Sequence, residues 1–156
     1  MKITLLVTGK TTSPEIRAIF DDYAKRINRY TRFEEVLLDN NSIRIQDREK
    51  VKELEGQLQM KKIIATDFVV LLDENGKEYT SVQFAARLNE WFNQSHKNIC
   101  FVIGGAYGFS EAVYQRSNAK VSLSKMTFSH QIIRAIFAEQ LYRAFTILNN
   151  EPYHHS

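Results

Sequence analysis

Asn98-Ile-Cys-Phe-Val-Ile103, followed at once by Gly104-Gly-Ala-Tyr-Gly108, is the stretch that decides the fold. A short, almost wholly apolar run suits a central strand covered on both faces, as in a parallel sheet. The glycines after it place a tight turn at the carboxyl edge, where open α/β sheets bind ligands. Phe68–Leu72 has the same character, and Lys2–Thr8, Phe33–Leu38 and Lys120–Ser124 read as three further strands. Between them the period turns helical. Ser13 caps a helix with Pro14 at its first position and Ile16, Ile19, Phe20, Tyr23 and Ile27 in helical spacing. Val51, Leu54 and Leu58 mark a charged amphipathic helix over residues 47–62. Ser81 caps a helix carrying Phe84, Ala85, Leu88, Trp91 and Phe92, and a short helix runs from Ser110 to about Arg116. A last helix, from about Gln131 to Asn149, buries Ile133, Ile136, Phe137, Leu141, Ala144 and Phe145. Asp39–Ser42 and Asn149–Ser156 read as irregular. This alternation predicts one α/β domain over residues 1–156, an open parallel sheet flanked by helices.

Composition agrees with a globular domain: 156 residues, 44% apolar and 25% charged. The apolar opening is strand-sized, without the length of a membrane span or the cleavage site of a signal peptide. The lone cysteine, Cys100, allows no internal disulfide and suits a reducing cytoplasm; inside an apolar run it reads as a core residue. The net charge of +3 is uneven. Residues 1–115 balance, whereas residues 116–156 hold five Lys and Arg against Glu139 and Glu151, with three of the four histidines. That asymmetry points to an anionic partner near the C-terminus, too weakly charged to grip naked RNA by electrostatics alone.

Three segments carry candidate chemistry. The Gly104–Gly108 turn matches neither the dinucleotide fingerprint nor a phosphate-binding loop, and on spacing alone fits a structural turn as well as a ligand loop. Leu123-Ser-Lys-Met-Thr-Phe-Ser-His130 sets hydroxyls and backbone groups beside the apolar walls of Leu123, Met126 and Phe128. That suits a cofactor with a flat base and polar rim. The alternative is a helix-start loop capped by Thr127 or Ser129. The third segment is the polar stripe Arg134, Glu139 and Arg143, with the tail residues Glu151, Tyr153, His154 and His155. The adjacent histidines lack partners at ligand spacing, so no metal is expected.

Together these segments resemble the RlmH family of SPOUT methyltransferases. The resemblance spans the chain, from Met1–Gly9 through Tyr23–Arg26, Glu55-Gly56, Leu72-Asp73, Gly76-Lys77 and Ile103–Gly108. It is strongest at Leu123–Thr127, His130, Arg134, Glu139–Ala144 and Pro152–His154. Two positions depart: Ser129 stands where the family usually has proline, and His155 where it often has a basic residue.

The resemblance implies a trefoil knot at the C-terminus and a homodimer. It implies S-adenosylmethionine as methyl donor, held by Leu72, Gly104, Leu123, Ser124, Lys125, Met126, Thr127 and Phe128. It further implies methylation at N3 of a pseudouridine in 23S ribosomal RNA of the large ribosomal subunit. That nitrogen is protonated at neutral pH, so His154 and His130 are candidate bases. Arg134 or Arg143 would stabilise charge developing on the base carbonyls, and Tyr153 would stack on or bond to the nucleotide. The competing view has no dedicated base, positioning alone sufficing. Two rival functions are a non-catalytic S-adenosylmethionine- and RNA-binding module and a SPOUT enzyme acting on transfer RNA, for whose extra RNA-binding domain the chain leaves no room.

Overall fold

The structure is a computed structural model and describes residues 1–41 and 43–155. Ser42 and Ser156, which end the two irregular stretches, lie outside the described residues. Five strands alternate with five helices. They are β1 (Lys2–Thr8), α1 (Pro14–Ile27), β2 (Arg32–Leu38), α2 (Arg48–Lys62), β3 (Asp67–Glu78), α3 (Ser81–Phe92), β4 (Asn98–Ile103), α4 (Glu111–Arg116), β5 (Ala119–Ser122) and α5 (Ile132–Leu148). The strands form one sheet in the order β2-β1-β4-β3-β5, every pair parallel. The run that opened the sequence reading is its centre: Phe101 sits opposite Leu5 on one side and Val70 on the other.

Alternation along each strand divides the core. Ile3, Leu5, Val70, Phe101 and Ile103 pack with Phe20, Phe84, Leu88 and Phe137 on the face of α1, α3 and α5. Leu6, Val69, Leu71, Cys100 and Val102 pack with Ile63 and Val113 on the face of α2 and α4. Cys100 is 2% exposed, and burial pushes its thiol up to about 12, as a core residue requires.

Local signals explain most boundaries. Ser13 Oγ accepts from Ile16 N at 3.3 Å, ahead of Pro14. The cap of α3 is Thr80 rather than Ser81, because Thr80 and Gln83 satisfy each other's backbone N–H groups at 3.1 and 2.9 Å. At the start of α5 neither Thr127 nor Ser129 is the N-cap. Gln131 holds that position without a side-chain cap bond, and Ser129 Oγ accepts from Ile132 N at 3.2 Å.

On three helices the buried face departs from the apolar spacing. On α2 the buried residues are Glu55, Gly56 and Gln59, while Val51, Leu54 and Leu58 are only half-buried. On α1 only Phe20 and Ile27 are buried, and Ile19 is exposed. On α5 the small Ala135 and Ala138 and the long Arg134 go inside, leaving Ile133 and Ile136 half-buried. The helix lies against both α1 and α3, and small residues let the backbones approach. The tail is irregular, as expected, yet anchored: Glu151 N donates to Thr146 O at 2.9 Å, and Tyr30 Oη donates to the Glu151 carboxylate at 2.7 Å.

β3 outlasts its apolar run. Its pairing with β5 reaches Leu72–Val121, skips, and resumes at Lys77–Val121, so residues 73–76 bulge from the carboxyl edge. Gly76 permits this, since a Cβ there would stand 2.8 Å from the Lys120 carbonyl carbon and from Val121 N. Backbone cannot yield as a side chain tip does. Gly76→Ala is expected to cost about 1–3 kcal/mol, read as a fall of several degrees in thermal melting; an unchanged melting temperature would contradict the packing described.

Candidate functional site

The bulge after β3, the turn after β4 and the loop after β5 converge at one edge of the sheet. They enclose a cavity of about 380 Å³, lined by Leu72, Asp73 and Glu74, by Ile103–Ala106 with Gly108 and Phe109, and by Leu123, Ser124, Met126–His130 and Ile133. The turn closes through Gly108 N donating to Gly105 O at 3.2 Å, with Gly108 alone of its glycines at positive φ, +86°. Ser124 shapes the loop. Its carbonyl accepts from Ser122 Oγ at 2.9 Å and its hydroxyl from Met126 N at 3.0 Å. Thr127 Oγ1 ties the loop to the bulge, donating to Glu74 at 2.8 Å.

Of the residues expected to hold the cofactor, Leu72, Gly104, Leu123, Ser124, Met126, Thr127 and Phe128 all line this cavity. Lys125 is not among them. Its side chain is 86% exposed and lies 3.7 Å from Glu78. Asp73, Glu74, Phe109 and Ile133 line the cavity without having been singled out. The signal for the first two is the run Asp73-Glu-Asn-Gly76 after an apolar strand, turn chemistry at the ligand-binding edge. Asp73 accepts from Tyr114 Oη at 2.6 Å; burial and that carboxylate push the tyrosine's pKa up.

The five expected catalytic side chains separate into three places. His130 lines the cavity and is exposed. Arg134, one turn on, is 1% exposed and faces inward. Its guanidinium donates to His130 O at 2.9 Å, Thr11 Oγ1 at 3.0 Å and Thr8 O at 2.9 Å. Burial lowers its pKa, partly offset by the field of Glu35. Together with Gln131, bonded to Lys10 O and Thr12 N, it pins the end of the loop to the chain leaving β1.

Arg143, Tyr153 and His154 form the third group: Arg143 stands nine residues beyond Arg134, roughly 13 Å along the helix, and the tail after Leu148 folds back to set Tyr153 and His154 beside it. Arg143 forms an ion pair with Glu139, and that bond holds its pKa above the ordinary value. Tyr153 Oη donates to Glu139 at 3.0 Å and meets Tyr23 Oη at 3.2 Å. Arg143 Nη1 lies 3.1 Å from His154 Nδ1. A guanidinium only donates, so Nδ1 accepts and the imidazole proton sits on Nε2. None of these three side chains lines the cavity.

Among the described residues, no three His, Cys, Asp or Glu side chains are grouped to hold a metal ion, and no helix is long and apolar enough to cross a membrane.

Comparison with known proteins places the sequence in a family. The family model described as "Predicted SPOUT methyltransferase" matches residues 1–154. Curated relatives named "Ribosomal RNA large subunit methyltransferase H" align over 156 residues, 99% of each chain. They are 51% identical in Parabacteroides distasonis and 49% in Flavobacterium johnsoniae and Bacteroides thetaiotaomicron. The chain whose sheet edge carries this glycine turn, bulge and loop over one cavity is related from end to end to proteins named as methyltransferases, and it belongs to the SPOUT methyltransferase family.

Proposed function

We propose that this chain transfers a methyl group from S-adenosylmethionine to N3 of a pseudouridine in 23S ribosomal RNA, working as a cytoplasmic homodimer. The convergence of the β4 turn and the β5 loop on one cavity carries this reading. Its size fits a nucleoside-sized ligand. Backbone groups and the Ser124 and Thr127 hydroxyls suit the adenine and ribose, Met126, Phe128 and Leu123 the flat base, and Asp73 and Glu74 the donor's positive charges. The trefoil knot implied by the family resemblance belongs to the same proposal.

When bound, S-adenosylmethionine supplies a methyl already activated on a sulfonium. The chain's own residues then align the nucleotide and manage its proton. His130, at the cavity, is the nearer proton acceptor. His154 Nε2–H and Arg143 are placed to donate to base carbonyls as negative charge develops, and Tyr153 packs beside them. Because those three stand apart from the cavity of their own chain, the tail of a second copy would complete the site. The mixed charge of the surface fits a target recognised within a ribosomal particle rather than naked RNA.

Methyl transfer to large ribosomal subunits tests the roles. His130→Ala and His154→Ala are each expected to lower the rate at least about tenfold, and mixed mutant dimers are expected to regain part of it. Near wild-type rates in both variants would eliminate both histidines.

A further inference from the structure

Beneath the β4 turn lies a carboxylate with no counter-charge. Glu55 of α2 is 4% exposed. Its oxygens press on Gly105 so closely that a Cβ there would stand 2.5 and 2.7 Å from them. Gly105 lines the cavity, so a single glycine separates the buried carboxylate from whatever the cavity holds. Among the described residues the only hydrogen bond to Glu55 comes from the Asn40 amide at 3.5 Å, and no salt bridge reaches it. Burial raises its pKa, opposed only by that amide. One turn along the same buried face, both polar atoms of the Gln59 side chain lack partners.

A buried carboxylate without a cation is costly, and a leucine or glutamine of similar size would pack there more cheaply. The two acids that line the cavity are reached by water, Asp73 half-buried beside Tyr114 Oη and Glu74 exposed beside Thr127 Oγ1. Of the three, Glu55 alone is buried, so a positive charge entering the cavity relieves it most. We propose that Glu55 is the fixed counter-charge that makes this pocket prefer a cationic methyl donor over its neutral demethylated product. The inference rests on the methyl-donor reading of the cavity. Loss of the methyl turns a sulfonium into a neutral thioether, which removes the attraction at the moment the product must leave.

Isothermal titration of the purified full chain tests it with three ligands. These are S-adenosylmethionine, S-adenosylhomocysteine, and the analogue in which a protonated amine replaces the sulfonium methyl. The wild type is expected to bind both cationic ligands more tightly than the neutral one. Glu55→Gln, which keeps the shape, is expected to reduce that preference about tenfold while leaving the neutral ligand's affinity nearly unchanged, the scale of one charge pair near a protein surface. Glu55→Asp should retain part of the preference, and Gly105→Ala, which forces the turn off the carboxylate, should weaken all three ligands together. Equal weakening of all three by Glu55→Gln, or no change in any, overturns the proposal. Should that variant not fold, the wild type decides: neutral and cationic ligands bound equally well would overturn it too. A wild type that binds none of the three refutes the methyl-donor reading itself, and this inference with it.

Discussion

Arg134→Met should destabilise the fold by about 2–4 kcal/mol and abolish tight binding of S-adenosylmethionine. The guanidinium is 1% exposed and satisfies two backbone carbonyls and a threonine hydroxyl. Methionine fills similar volume but takes the guanidinium donors from Thr8 O and His130 O, and a buried acceptor left unpaired incurs its full desolvation cost. The binding loss has a separate origin. Arg134 joins the end of the loop after β5 to the end of β1, so its removal frees His130 and the residues before it. Arg134→Lys keeps the charge and loses the planar fork, so it should recover part of the stability and little of the affinity. Chemical denaturation gives the first quantity and calorimetry the second. A variant that is destabilised yet binds the donor normally would remove Arg134 from any part in the site.

Glu139→Ala should have the opposite signature: donor binding unchanged, methyl transfer lowered about a hundredfold. One oxygen of Glu139 accepts from Tyr153 and from Arg143, and Arg143 in turn orients His154. Without that carboxylate the three tail groups lose their common anchor, while the cavity is untouched. The stability cost should stay near 1 kcal/mol, because the pair is partly exposed. Rates measured on large ribosomal subunits under saturating donor isolate the effect. A normal rate would mean that the tail cluster is structural only.

The central strands were legible because a strand covered on both faces has no room for polar residues, and β1 and β4 fall on the expected residues. The edges were harder. β3 runs six residues past its apolar core, through a bulge that depends on Gly76 meeting the β5 backbone, a contact between segments that no local pattern contains. Thr80 and Ser81 are both capping residues, and Gln83 decides between them. On α2 the apolar spacing of Val51, Leu54 and Leu58 pointed to a face beside the one that is buried. Hydrophobic periodicity cannot find a face built on Glu55 and Gln59, since it assumes that polar residues stay out.

The loop after β5 was legible as a small, hydroxyl-rich segment at the sheet's carboxyl edge, and only Lys125 of residues 123–130 is absent from the cavity lining. Arg134 was read as a group free to act on substrate. An arginine on a helix before the fold is known looks the same whether it faces solvent or the backbone of a distant strand, and here it faces Thr8, 126 positions away in sequence. The tail looked irregular because its order comes from tertiary hydrogen bonds to Tyr23, Tyr30 and Glu139 rather than from a helical or strand period.

Titration of isotope-labelled protein with S-adenosylmethionine, followed through backbone amide resonances, is the most direct test that the β4 turn and the β5 loop jointly hold one adenosyl ligand. Saturable shifts confined to residues 72–76, 103–109 and 123–133 are the expected result. Shifts centred elsewhere on the molecule, or none at millimolar ligand, would contradict it.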